Sequence, residues 1–312
     1  MFKNQVVIGA LYALLATVLW AGAFIIARLA VGEISPMTLG ATRWGMALLI
    51  LCTFTLPRVK REWPVAKTFL PQIIAAAAFG VAAYSPLSYF AAQTTSAINL
   101  SLLSVTTPIF IVMISAGLGQ RQSLNTWAGC LVALLGSFYL VSNGDINQIL
   151  NMQFAAGDLL MLAAAVGFAV YSIILKKTPE GLSSITIMTL MSFFAVLMLI
   201  PCVIWESTQP SMVFNMNGVV FFSIAFSAVC SSIIAWWTWN IGLTKAGPEL
   251  CGMIYYSLPL WGGVFAYLFL GEGMTSVHFI SGALIIGGIV WASRGAKKKA
   301  PQQEGHAAPN EA

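Results

Sequence analysis

Of the 312 residues, 59% are hydrophobic and only 8% charged, with a formal net charge of +5. A soluble protein carries roughly 25% charged residues, so a water-facing surface for a 33.4 kDa chain is excluded and the chain reads as an integral membrane protein. Ten Trp and 19 Phe suit membrane–water interfaces, and 27 Gly let buried helices approach closely.

A helix needs about 20 apolar residues to cross the hydrocarbon layer. In chain order the expected spans are 6–27, 36–56, 69–92, 97–119, 123–141, 155–175, 183–205, 217–243, 249–271 and 275–293. Runs of this length are not barrel strands, which are about ten residues long and alternate in polarity. The expected fold class is therefore an all-α integral membrane protein of ten transmembrane helices. Lys3, the first apolar run and Ala21-Gly22-Ala23 also resemble a cleavable signal. The run is longer than a usual signal core and takes part in the repeat below, so it is read as a span.

With the N-terminus inside, the inner segments carry Lys3, Arg58, Lys60, Arg61, Lys67, Arg121, Lys176, Lys177, Lys245, Arg294 and Lys297 to Lys299. Only Arg28 and Arg43 fall elsewhere. This positive-inside bias places both termini in the cytoplasm and the chain in the inner or plasma membrane. The basic residues sit in loops between spans, which is a membrane signal and not a nucleic-acid one. Cys52, Cys130, Cys202, Cys230 and Cys251 lie in or beside apolar stretches without paired CxxC spacing, and read as small packing residues.

The halves repeat. Gly9-Ala10-Leu11, Trp20, Arg28 and Ser35 match Gly157-Asp158-Leu159, Phe168, Lys176 and Ser183 at an offset of 148. Pro108 matches Pro259 at 151, and Gly119-Gln120 matches Gly271-Glu272 at 152. Five spans per half is an odd number, so the second half enters the membrane inverted, an arrangement common among transporters with a midplane site between the repeats. Transport is therefore the leading expectation.

These residues resemble the drug/metabolite transporter superfamily, and within it the EamA family, on the Gly-to-aromatic spacing of the first span, an Arg in the second, Ala97 to Gly136 with Pro108, and Pro259 with Leu270-Gly271-Glu272 and Gly287-Gly288. The first copy departs from the pattern with Gln120 where an acid is usual. The resemblance implies two EamA-like five-helix repeats, 9–141 and 157–292, followed by a polar cytoplasmic tail, 294–312, whose composition does not order. It implies export of a small metabolite such as an amino acid or drug.

Pro108 and Pro259 lie near mid-span, where proline frees backbone carbonyls; a loosened binding site and a packing kink are the two readings. Polar stripes recur beside them: Asn99, Thr106 and Met113; Met253, Tyr256 and Pro259; Tyr84 and Ser88; Ser232, Trp236 and Asn240. Such stripes line a cavity or hydrogen-bond between helices. Trp20, at the centre of the first span, joins the candidates, while Tyr255 is expected to point elsewhere.

Arg43 lies seven residues into the second span, about 10 Å deep at 1.5 Å per residue. An intramembrane arginine is a functional candidate, able to grip a carboxylate or phosphate. The competing reading is a structural contact to freed carbonyls, or snorkelling toward Glu33. The candidate substrate-binding set is Trp20, Arg43, Tyr84, Ser88, Asn99, Thr106, Pro108, Trp236, Asn240, Tyr256 and Pro259.

The acidic residues Glu33, Asp145, Asp158, Glu206, Glu249 and Glu272 are expected at the rims, so a proton relay would use one such as Asp158 or Glu249. No phosphate loop or metal-ligand spacing occurs, and no cofactor or metal is expected. The alternative is a polytopic enzyme or a scaffold without transport activity, for which His278 and His306 are the only histidines. The expected partners are a small-molecule substrate and membrane lipids, with a homodimer allowed and nucleic acid excluded.

Overall fold

The computed structural model describes residues 2–30, 32–94, 103–150, 156–270 and 275–297. Its first part comprises α1 (Phe2–Leu29), α2 (Pro36–Ala66), α3 (Leu70–Ala77), α4 (Tyr84–Thr94), α5 (Thr107–Gly117), α6 (Leu124–Val141) and the short α7 (Ile146–Leu150). The second comprises α8 (Ala156–Lys176), α9 (Ser184–Ser207), α10 (Gly218–Phe226), α11 (Ala235–Ala246), α12 (Pro248–Tyr255), α13 (Leu258–Leu270) and α14 (Ser276–Lys297). Among the described residues the one extended pairing is an isolated bridge between Ile34 and Phe214.

Six helical runs are long and apolar enough to cross a membrane: Asn4–Ala23, Pro36–Ser88, Leu124–Val141, Ala156–Lys176, Ser184–Ser207 and Gly218–Ala246. Thr107–Gly117 and Ser276–Ala292 are shorter apolar helices. The 53-residue run Pro36–Ser88 exceeds one crossing. It doubles back, because Arg43 from its start and Tyr84 from its end line the same cavity. Leu11, Leu49, Leu159, Phe221 and Phe279 are more than half exposed, a distribution that lipid solvates and water does not.

The helices begin where short polar side chains satisfy the first free backbone N–H groups. Ser123 accepts from Thr126 N, Ser183 from Thr186 N and Asn217 from Val220 N. Two glutamates cap helices in the opposite half of the chain. Glu206, at the end of α9 and only 2% exposed, accepts from Met37 N at 3.0 Å and from Thr38 N and Oγ1 at 2.7 and 2.6 Å, at the start of α2. Glu62, near the end of α2, accepts from Ser183 N at 2.9 Å and Oγ at 2.7 Å, at the start of α9. Glu206 is thus a buried cap rather than a rim group. An anion at a helix N-terminus is favoured by the helix dipole as well as by the hydrogen bonds.

The tightest crossing joins α6 to α14. A Cβ on Gly129 would lie 2.5 Å from Ala292 N and Gly288 O, and one on Gly288 would lie 2.6 Å from Ala133 N and Gly129 O. Backbone meets backbone there, and only small residues permit it.

Several expectations shift in detail. Helix α2 runs ten residues past the expected end at 56, because the charged stretch stays helical outside the apolar part and Arg58 pairs with Glu62 at 3.6 Å. The third span is interrupted by the π-helical turns Ala78–Ala82, and the eighth by Ser227–Ile234. The fourth breaks at Val105–Thr106 and the ninth at Tyr256–Ser257, each just before its proline-bearing helix. Asn99, Glu272, His306 and the tail from 298 lie outside the described residues. The described cysteines are free thiols, with Cys130 and Cys251 buried.

Candidate functional site

Trp20 lies mid-helix in α1, ringed by aromatics from the other half. Its centroid is 5.8 Å from Phe168, 5.9 Å from Trp236, 5.3 Å from Trp239 and 6.1 Å from Tyr255. Such edge-on and tilted spacings are favourable for π-systems. The indole Nε1 donates to the Ser231 carbonyl at 3.1 Å, within the widened turns of the π-helical stretch. π-Turns recur at functional sites because they re-aim backbone groups.

Beside this aromatic cluster lies a cavity of about 180 Å3. Trp20, Ala23, Arg43, Gly80 and Tyr84 line it from the first half; Phe168, Ser231, Trp236, Tyr255 and Leu258 line it from the second. Gly80 is required beside it: a Cβ there would stand 2.6 Å from the Tyr171 ring. Tyr171 stacks against Trp236 with centroids 4.9 Å apart, and its hydroxyl donates to Asn240 Oδ1.

Arg43 is the charged member of the wall. Its Nε is buried without a hydrogen-bond partner, and its guanidinium carbon lies 5.7 Å from the Trp44 ring centroid. Among the described residues Arg43 has no ion pair. It does not reach Glu33, whose carboxylate accepts from Asn217 Nδ2 at 3.0 Å. Nor does it bond the carbonyls loosened elsewhere, so neither structural contact expected for it is present among the described residues. Trp44 Nε1, Trp239 Nε1, Asn240 Nδ2 and Ser232 Oγ are also buried without partners, but they lie behind the lining residues and not among them.

Of the candidate residues, Trp20, Arg43, Tyr84 and Trp236 come together at this cavity. Asn240 lies one turn beyond Trp236, 1% exposed and bonded to Tyr171. Ser88 lies one turn beyond Tyr84 and is not among the described lining residues. Thr106 bonds its own turn at Leu103 O, and Met113 of the same expected stripe is half exposed on the outside. Pro108 packs against Gly252, its Cα 3.5 Å from where a Cβ there would sit. Pro259 opens α13 next to Leu258.

The assignment of Tyr256 and Tyr255 is reversed. Tyr255 lines the cavity, whereas Tyr256 turns to α6, its hydroxyl 3.3 Å from Cys130 Sγ and its carbonyl accepting from Ser137. The break at Tyr256–Ser257 re-phases the helix, so a face drawn through Met253, Tyr256 and Pro259 as one continuous helix does not exist. Phe168, Gly80 and Ser231 were also missed. Their signal was the repeat: Phe168 is the counterpart of Trp20 at offset 148, and Ser231 that of Gly80 at 151.

A larger groove of about 470 Å3 lies among Phe69, Ile114, Leu118, Ile173 and Ile174, with Gln72 and Lys177 at its edge. Its walls are apolar, and no buried unpartnered polar atom belongs to its described lining residues.

Apolar helices that face lipid outward and enclose an aromatic, cationic cavity define a multi-pass membrane protein with an internal binding site. The EamA-like transporter family matches this chain twice, over residues 7–142 and 155–294. The chain belongs to that family and is a membrane transporter. It is 27% identical over 212 residues to an uncharacterized transporter, YetK, of Bacillus subtilis (strain 168), covering 67% of this chain and 64% of YetK. It is 23% identical to an uncharacterized transporter of Archaeoglobus fulgidus over 88% of this chain and 93% of that one. It is also 26% identical, over 91% and 93%, to a probable terminal-alkyne amino-acid exporter of Streptantibioticus cattleyicolor. A solved crystal structure of a protein superimposes with TM-score 0.75 at 21% identity over 96% of this chain and 99% of its own, a likeness of fold alone.

Proposed function

We propose that the chain is a ten-helix secondary transporter built of two inverted five-helix repeats. It moves a small organic solute by alternating access, in the direction of export, with both termini cytoplasmic in the inner or plasma membrane. The observation that carries this reading is the cavity itself, walled in equal parts by the two halves.

The packing supports the repeat. Helix α2 packs on α9 and α6 on α14; α1 packs on α11 and α13, as α8 packs on α4 and α5. This pattern is unchanged when the halves are exchanged. The interruptions exchange as well, Ala78–Ala82 with Ser227–Ile234 and Val105–Thr106 with Tyr256–Ser257. So do the caps, Glu62 on α9 and Glu206 on α2. Broken helices at the repeat interface are where substrate sites form in transporters of this architecture. The relative named as an amino-acid exporter supports both an organic solute and the direction.

At one end Lys176 Nζ reaches Gln120 Oε1 at 2.8 Å and Glu249 Oε1 at 3.4 Å, tying α8, the loop before α6 and α12. The Gln120 contact joins the two halves and suits a gate, because rocking them apart breaks it, whereas Lys176 and Glu249 belong to the same half.

The test is a solute screen on the full chain in sealed vesicles, with and without a proton gradient. Saturable flux that falls at least tenfold in Trp236→Ala, with that variant still monodisperse, supports the reading. Solute movement no faster than in empty vesicles across the screen, or flux indifferent to Trp236→Ala, overturns it. Lipid turnover in the same preparation would favour an enzyme.

A further inference from the structure

We infer that the cavity between the halves selects a compact organic anion, one carboxylate on a single aromatic or similarly small apolar body, and discriminates against amines and zwitterions of the same shape. The inference rests on the transport-site reading above and names the class of solute it admits.

Charge comes first. Arg43 stands in the wall with its Nε buried and unpartnered and no ion pair among the described residues. A buried cation without a counter-charge is costly, and the cost falls when an anion arrives. The described lining includes no Asp or Glu, so a substrate ammonium would meet no opposite charge and would be repelled by Arg43. The Tyr84, Ser231 and Tyr255 hydroxyls in the wall can donate to a carboxylate beside the guanidinium. One guanidinium matches the planar fork of one carboxylate. A phosphate dianion would call for a second cation, and the described lining holds none.

Size comes next. An apolar cavity of about 150 Å3 accommodates benzene; the 180 Å3 here admits one ring with a short acidic arm. The rings of Trp20, Phe168, Trp236 and Tyr255 supply an aromatic wall against which that ring packs. They also offer a cation–π alternative for an amine, so the wall sets two signs of ligand in competition, and the unpaired Arg43 decides it for the anion.

The experiment measures equilibrium binding to the purified full chain in nanodiscs, by quenching of tryptophan fluorescence. The probes are 3-phenylpropionate, phenylalanine, 3-phenylpropanamide and phenethylamine, which share a ring and differ in charge. The expected order places 3-phenylpropionate at least tenfold tighter than the other three. In Arg43→Gln its affinity falls about tenfold or more while that of the neutral amide is unchanged. Arg43→Lys, which keeps the charge and loses the fork, falls in between.

Phenethylamine or phenylalanine binding as tightly as the anion overturns the inference, as does no saturable binding by any of the four. Unchanged anion affinity in Arg43→Gln overturns it too. If that variant fails to fold, the wild-type charge series alone still decides. Binding needs no flux, so loss of the transport reading is seen separately. Vesicles that move the amide or amine but not the acid would sink the inference and leave transport intact.

Discussion

Replacing Glu206 by Gln isolates the buried cap that joins the two halves. The carboxylate accepts three hydrogen bonds, from Met37 N, Thr38 N and Thr38 Oγ1, at a site 2% exposed. Glutamine keeps the volume but removes the charge and turns one acceptor oxygen into an N–H2 donor, so at least one of the three donors faces another donor. Hydrogen bonds to charged groups contribute about 1.5–3 kcal/mol each, and leaving a buried donor unmet costs about 1–3 kcal/mol. The interaction with the N-terminus of α2 adds up to about 2 kcal/mol in a partly buried setting. These effects share one group and do not add. The lost desolvation penalty of the carboxylate works the other way. A net loss of roughly 2–4 kcal/mol remains, and at about 1.5 °C per kcal/mol for 312 residues, from an unfolding entropy of about 2.1 cal/mol/K per residue, the midpoint should fall by roughly 3–6 °C.

Thermal unfolding in detergent, followed by intrinsic tryptophan fluorescence, measures this directly. The counterpart Glu62→Gln serves as an internal scale. Glu62 accepts from Ser183 N and Oγ and shares its charge with Arg58, itself half exposed, so its loss should be about half as large. A Glu206→Gln midpoint within about 1 °C of wild type, or a larger drop for Glu62→Gln, refutes the reasoning.

Three further outcomes follow from named contacts. Gly288→Leu should abolish monodisperse protein or lower the midpoint sharply, because its Cβ would strike Ala133 N and Gly129 O at 2.6 Å, whereas Gly287→Leu meets nothing within 4 Å and should be tolerated. Size-exclusion profiles of the pair separate them, and equal behaviour counts against the crossing. Tyr171→Phe removes the donor to buried Asn240, whose Nδ2 already lacks a partner, and should cost about 1–3 kcal/mol; an unchanged melting curve contradicts it. The Lys176–Glu249 contact lies within the second half and is partly exposed, at 36% and 18% of the two side chains, so it contributes about 0–1 kcal/mol. Glu249→Gln should therefore leave transport within about fivefold of wild type, and a larger change contradicts it.

Much of this molecule is legible from residue order alone. Scarce charge and apolar runs of about 20 residues leave a chain no option but lipid, and the repeat offsets pair Trp20 with Phe168 before any coordinate is known. Arg43, Tyr84 and Trp236 announce themselves as polar or amphipathic groups in apolar helices, where the cost of their placement demands a reason. Helical periodicity, however, describes a face only while the helix continues. Two-residue breaks at Val105–Thr106 and Tyr256–Ser257 and the widened turns at Ala78–Ala82 and Ser227–Ile234 shift the phase, so which of two adjacent tyrosines faces the cavity was beyond periodicity. Whether Arg43 has a partner, and whether Glu206 sits at a rim or under the N-terminus of α2, depends on groups more than a hundred positions away. Local chemistry sets which segments enter the membrane, because transfer into lipid acts on each segment by itself. Packing between distant helices sets the site, because burial and hydrogen-bond satisfaction are properties of neighbours in space.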